Sequence, residues 1–215
     1  MRIAVCGTKG GSGKSTLAGL LALCFADAGK GVVAIDADPQ ATLTTWLRSV
    51  GGHPLSISDG RQKEVFPAGT SLGDKDQLKE GTHIRITDFP PASPDALLKM
   101  MEGAVGLGAK EASEWFDVLL VPCRPALADI WSIRSFLEKL DGYNGKVRLV
   151  MNALDNSSIS KAGNIDTLLK GVKIPRTKAT LSRRACYAYA MAGGWPALDE
   201  KAKSEVLSLA LEVSK

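Results

Sequence analysis

The sequence predicts an α/β protein with a single doubly wound, mostly parallel sheet flanked by helices. Two observations carry that prediction. Short apolar runs of strand length alternate with segments of helical length, beginning Arg2–Gly7, Leu17–Ala28 and Val32–Asp36, the spacing of a β-α-β unit. Three of the runs also end in chemistry: a glycine-rich turn after the first, Asp36 after the second and Asp88 after a later one. In open parallel sheets that edge is where ligands bind. The chain has 215 residues, 45% hydrophobic and 23% charged, which suits one globular domain with a sizeable core.

The first strand runs straight into Lys9-Gly-Gly-Ser-Gly-Lys-Ser-Thr16 and then into a helix. Glycines at 10, 11 and 13 let backbone N–H groups turn inward around an anion. The helix N-terminus adds unpaired N–H groups and the positive end of its dipole. Gly10, Gly11, Ser12, Gly13, Lys14, Ser15 and Thr16 then form the phosphate cradle. Lys14 reaches the β- and γ-phosphates, and the Ser15 hydroxyl binds Mg²⁺. One position departs from the plain G-x4-G-K-[ST] motif. Thr8 stands where that motif has glycine, and a second lysine, Lys9, precedes Lys14 by five residues. This is the deviant Walker A form of the P-loop NTPases, and in it the chain resembles the ParA/MinD family of ATPases. The resemblance implies ATP as the nucleotide, and a Lys9 that crosses a dimer interface to the partner's nucleotide.

Gly29-Lys-Gly31 ends the first helix, and Val32–Asp36 delivers Asp36-Ala-Asp38-Pro-Gln40 at its carboxyl end. Two aspartates beside a phosphate loop exceed what a polar turn requires. The segment is similar to the family's Walker A′ motif, D-x-D-P-Q. That resemblance implies that Asp38 orients or activates the attacking water, that Asp36 helps hold Mg²⁺ through its water shell, and that Pro39 and Gln40 open switch I. The pattern weakens beyond Gly51, where a short strand over Pro54–Ser58 and a helix near Asp74–Lys79 are expected. His53 and His83 lack ligand partners at metal spacing and read as ordinary loop or strand residues. His83–Asp88 is a strand, followed by a proline-stiffened turn. An acidic residue there holds Mg²⁺ through water in phosphoryl-transfer sites. Asp88-Phe-Pro-Pro91 matches the family's D-x-P-P and by that resemblance is switch II.

Ser93-Pro94 reads as an N-cap with proline at the first helical position, opening a helix to about Glu102. Ala109–Trp115 reads as a further helical stretch. Phe116–Val121 is a buried strand leading to Pro122-Cys-Arg-Pro125 and a helix over Ala128–Leu140. This turn and helix also resemble family members, in which they lie near the dimer interface; Arg124 either faces a partner or caps surface carboxylates. Lys146–Asn152 is another strand. Its end, Asn152-Ala-Leu-Asp155, is similar to the base-reading N-K-x-D of GTPases without the lysine; ParA-like relatives tolerate such forms and bind ATP, so the resemblance implies adenine with Asn152 as base contact. Helices are expected over Gly163–Leu169, Ala185–Met191 and Leu198–Ser214.

Charge is uneven. Net charge is +4, but residues 146–215 hold 12 Lys/Arg against 6 Asp/Glu. Between 170 and 184 lie Lys170, Lys173, Arg176, Lys178, Arg183 and Arg184 with no acidic residue among them. Family ATPases place DNA-binding cations late in the chain, so these six are the candidate DNA contacts. Four cysteines without CxxC spacing, and the lack of any long apolar run, suit a reduced, cytoplasmic protein.

The resemblance is dense over residues 2–46, good at 83–91 and 116–136, and thin elsewhere. It implies about seven or eight strands in one domain spanning 1–215, with no N-terminal helix-turn-helix domain. It further implies an ATPase that forms a homodimer on ATP, binds non-specific DNA and hydrolyses slowly. A small centromere-binding or cargo-adaptor protein stimulates it, in plasmid or chromosome partition on the nucleoid. Rivals are a positioning ATPase for carboxysomes, chemoreceptor clusters or conjugative transfer, a MinD-like membrane switch, and a metabolic P-loop enzyme. The C-terminal helix carries aliphatic residues but no aromatic anchor, so stable membrane association is not expected.

Overall fold

Apolar runs become strands here because both sheet faces are covered. The structure, a computed structural model, describes residues 1–51, 53–54, 63–66, 84–105, 115–139, 146–155, 170 and 175–215. Its strands are β1 (Arg2–Val5), β2 (Val32–Asp36), β3 (His53–Pro54), β4 (Lys63–Phe66), β5 (Ile84–Asp88), β6 (Val118–Cys123) and β7 (Val147–Met151). They form one sheet in the order β3-β4-β2-β5-β1-β6-β7. The five from β2 to β7 in that order are parallel, and β4 and β3 add an antiparallel edge to β2. Strand β6, Val-Leu-Leu-Val-Pro-Cys, is buried along its whole length, as a parallel strand covered on both faces must be.

The helices are α1 (Lys14–Asp27), α2 (Thr42–Ser49), α3 (Pro94–Val105), α4 (Leu127–Lys139), α5 (Cys186–Gly193) and α6 (Glu200–Val213). Alternate strand residues feed two cores. Ile3, Val5, Ala34 and Leu120 face α1, α2, α5 and α6; Ala4, Leu119 and Val121 face α3 and α4. Helix α1 is apolar on nearly every side and is buried accordingly. Ser93 Oγ accepts from Ala96 N at 3.3 Å, the cap expected before Pro94.

The doubly wound expectation is met, and strand boundaries agree to within a few residues. Strand β4 went unread in the sequence, and β3 sits at His53–Pro54 rather than extending from Pro54. The helices expected near 74–79 and over 163–169 lie outside the described residues, as does most of 109–115. The topology also places the site. The chain leaves β1 for β2 on one side and later crosses to β6 on the other, so the crevice opens at the carboxyl end of β1.

Candidate nucleotide site

Register brings the predicted residues together. Asp36 pairs with Asp88 across β2 and β5, and Val5 pairs with Asp88 across β1 and β5, so loop and aspartates leave the sheet at one level. Gly11 and Gly13 adopt φ of 70° and 92°, a region that favours glycine. Gly13 caps α1 without a side-chain hydrogen bond. The first amides of α1, from Lys14 to Thr16, therefore open onto the loop with no intrahelical acceptor.

Lys14 is buried and donates to Lys9 O at 3.0 Å, which curls the side chain back across the loop. Burial lowers its pKa, against the pull of the Asp88 and Asp38 carboxylates. Asp88 is 1% exposed, and neither of its carboxylate oxygens completes a hydrogen bond. Burial pushes it up to about 7, with the adjacent Ser15 hydroxyl acting the other way. A buried carboxyl whose hydrogen bonds are left incomplete is costly. A hydrated divalent cation between Asp88 and Ser15 would remove that cost, so these two residues fit Mg²⁺.

Asp36 differs. Its Oδ1 accepts from Asp38 N at 3.1 Å and its Oδ2 from Thr44 N at 2.8 Å, so it stitches the switch I turn to the first turn of α2. Burial raises its pKa against those bonds. Asp38 is half-exposed at the mouth, where its Oδ1 accepts from Gln40 N at 2.9 Å. Asn152 lies beneath the loop: Nδ2 donates to Ser12 O at 2.8 Å and Oδ1 accepts from Ala153 N at 2.8 Å. The amide braces the loop from below.

Lys9 turns away from this pocket. Its Nζ donates to Asp129 Oδ1 in the first turn of α4, and Arg124 Nε donates to Asp129 Oδ2 at 2.8 Å. Thr8 Oγ1 and Ser132 Oγ lie 3.2 Å apart beside them. Burial alone would raise the Asp129 carboxyl, but the two cations outweigh it and hold it low. Arg124 thus caps a carboxylate, although a buried one. Sequence reasoning missed Asp129, which lies 120 positions from Lys9; the apolar-acidic pattern of Leu127–Trp131 was its only signal.

The predicted cationic strip is split. Arg176, Lys178 and Arg183 are exposed, as is Lys170. Lys173 lies outside the described residues. Arg184 is instead committed to Glu205 of α6, with NH2 to Oε1 at 2.6 Å. No acidic residue interrupts the strip in sequence, yet the fold brings Glu205 and Glu212 against it.

Residues 3–193 match the family model described as "CobQ/CobB/MinD/ParA nucleotide binding domain". The chain belongs to this family. Within the ParA/MinD fold, it superposes on the MinC:MinD cell division protein complex of Aquifex aeolicus with TM-score 0.68 at 17% identity, covering 99% of this chain and 95% of that one. A putative plasmid partition protein from Borrelia burgdorferi, bound to AMPPNP, gives TM-score 0.63 at 18% identity over 99% and 97%. Over 95 residues the chain is 58% identical to the carbon monoxide dehydrogenase accessory protein CooC of Rhodospirillum rubrum, covering 42% of this chain and 34% of that one. The chain spans from 34% to 50% of the length of the curated relatives it matches. Family membership makes this a nucleotide-binding domain of the CobQ/CobB/MinD/ParA type. Among the described residues no helix is long and apolar enough to cross a membrane.

Proposed function

We propose that this chain is an ATPase that dimerises on ATP, binds DNA without sequence preference and drives plasmid or chromosome partition. The observation that carries the reading is the pair of loop lysines with divergent placements. Lys14 folds over the nucleotide cradle, while Lys9 leaves it for the flank at α4. A lysine held outside its own cradle is placed to serve a facing subunit, where it would neutralise charge between two nucleotides.

In this reading Gly10–Thr16 bind phosphates through backbone amides, and Lys14 and Lys9 stabilise the charge that develops in phosphoryl transfer. Asp38, at the open mouth, orients water. Ser15, and Asp88 through water, would hold a Mg²⁺ ion that would supply neutralisation of phosphate charge, with Asp36 fixing the turn beside it. Asn152 contributes to the base pocket while bracing the loop. Exposed cations of the 170–184 strip supply phosphate contacts, a small centromere-binding or cargo-adaptor protein stimulates hydrolysis, and the site of action is the nucleoid rather than a membrane. The putative partition function of the Borrelia neighbour supports this choice of cargo. The deciding measurement is ATP turnover with ATP binding in parallel. Lys14→Ala is expected to lose productive binding, while Asp38→Ala retains ATP but not turnover. Wild-type turnover in Lys14→Ala would refute the site assignment.

A second reading follows from the identity to CooC: an accessory ATPase serving an enzyme rather than DNA. ATP-dependent retention of unrelated duplexes supports partition; a dimer indifferent to DNA supports the accessory role.

A further inference from the structure

The segment from Arg176 to Arg184 is fixed to the rest of the molecule in two ways. On one side, parallel bridges join Arg176 to Leu149 of β7 and Ser182 to Leu154 just beyond it. On the other, two glutamates of α6 collect its amides. Glu212 accepts from Lys178 N and Ala179 N, both at 2.9 Å. Glu205 accepts from Ser182 N at 2.9 Å, Ser182 Oγ at 2.7 Å, Arg184 NH2 at 2.6 Å and Tyr187 Oη at 2.7 Å. Burial would raise Glu205, but Arg184, Ser182 and Tyr187 hold it down at about 2, so it stays ionised at any working pH.

The two glutamates stand seven residues apart on α6, about 10 Å along the helix at 1.5 Å per residue. They lie on one face, because seven residues is close to two turns. The segment is thus held between β7 and α6: the amides of Thr177, Leu181 and Arg183 donate to the carbonyls of Leu149, Met151 and Leu154, and those of Lys178, Ala179 and Ser182 to the two glutamates. Lys178, whose own amide is held by Glu212, and Arg183, which follows Ser182, are exposed; among the described residues neither side chain forms an ion pair. Arg184, next to Arg183, is spent on Glu205.

We infer that Glu205 and Glu212 set the spacing of Lys178 and Arg183, that these two meet DNA phosphates, and that Arg184 is a positioning residue acting through Glu205. The inference rests on the DNA-binding reading above. It separates cations that look alike in the sequence, and it predicts the same sign for Arg184→Gln and Glu205→Gln, which bare electrostatics would treat oppositely.

The test is the salt dependence of binding to a fluorescent duplex of arbitrary sequence, with ATP present, in the full chain. Lys178→Gln and Arg183→Gln are each expected to make the log–log slope shallower by about 0.9, the step for one lost phosphate contact. Arg184→Gln is expected to weaken binding several-fold with the slope unchanged, and Arg184→Lys, which keeps a donor for Glu205, to restore it. Glu205→Gln removes a negative charge, so simple attraction predicts tighter binding; loss of positioning predicts binding several-fold weaker. It also tests the idea independently should Arg184→Gln fold poorly, and thermal melting with ATP binding checks folding of each variant. A slope step in Arg184→Gln equal to that in Arg183→Gln, or tighter binding in Glu205→Gln, overturns the inference while leaving DNA binding standing. No binding by the wild-type chain at low salt overturns the DNA reading itself, and the inference with it.

Discussion

A Cβ at Gly13 would collide with Asn152 Nδ2, in a backbone conformation that side chains already disfavour. Gly13→Ala should therefore displace the loop from its brace, lowering stability by about 1–3 kcal/mol and nucleotide affinity by more than that alone would suggest. Urea denaturation and nucleotide titration read the two effects apart. Asp88 supplies a pH prediction. Its folded pKa of about 7 lies above the value of 3.8 expected for an unfolded chain, so the folded state binds the proton more tightly. Stability of the nucleotide-free protein should be greatest at acid pH, as far as this residue contributes, and fall as pH rises from about 4 to about 7. Asp88→Asn should flatten that fall, measured by chemical denaturation across the range. Identical pH profiles for the two proteins would show that Asp88 is not desolvated as described.

At the scale of elements, α2 is tied at both ends. Asp36 holds its start, and Trp46 Nε1 donates to Ala190 O of α5 at 2.8 Å while Ser49 Oγ donates to Met191 O at 2.6 Å. The Trp46 ring fills the space over Gly19 of α1 that a Cβ would occupy. Trp46→Ala should cost about 3–5 kcal/mol in thermal or chemical unfolding, and Gly19→Ala should be destabilising because the ring has nowhere to go. These contacts were not legible in the sequence. What was legible had a local cause: β2 and β6 are buried along their whole length and read as near-continuous apolar runs, β1 and β7 are broken only by one arginine each, and the loop and its aspartates sit at strand ends by necessity. Strand β4, Lys-Glu-Val-Phe at an antiparallel edge, carries no such run. Asp129 and Glu205 act on residues far away in the chain, and no spacing rule reaches across such a separation.

For the molecule as a whole, the reading predicts a change of oligomeric state. ATP should convert monomer to dimer in Asp38→Ala, followed by light scattering, and Lys9→Ala should stay monomeric; an Asp38→Ala chain that remains monomeric at saturating ATP would remove the cross-subunit role of Lys9. Asp129→Asn removes the anion that holds Lys9 to its own subunit, and should shift the dimer midpoint to lower protein concentration. Helix α1 adds a different kind of consequence. It begins at the phosphate cradle and then runs buried between the sheet, α2 and α6. From Leu17 to Ala26 its residues are buried, so hydrogen exchange of those amides is expected to report global unfolding. A ligand bound at the first turn of α1 should slow deuterium uptake in its last turn, many ångströms from any atom the ligand touches, by the factor 1 + [L]/Kd.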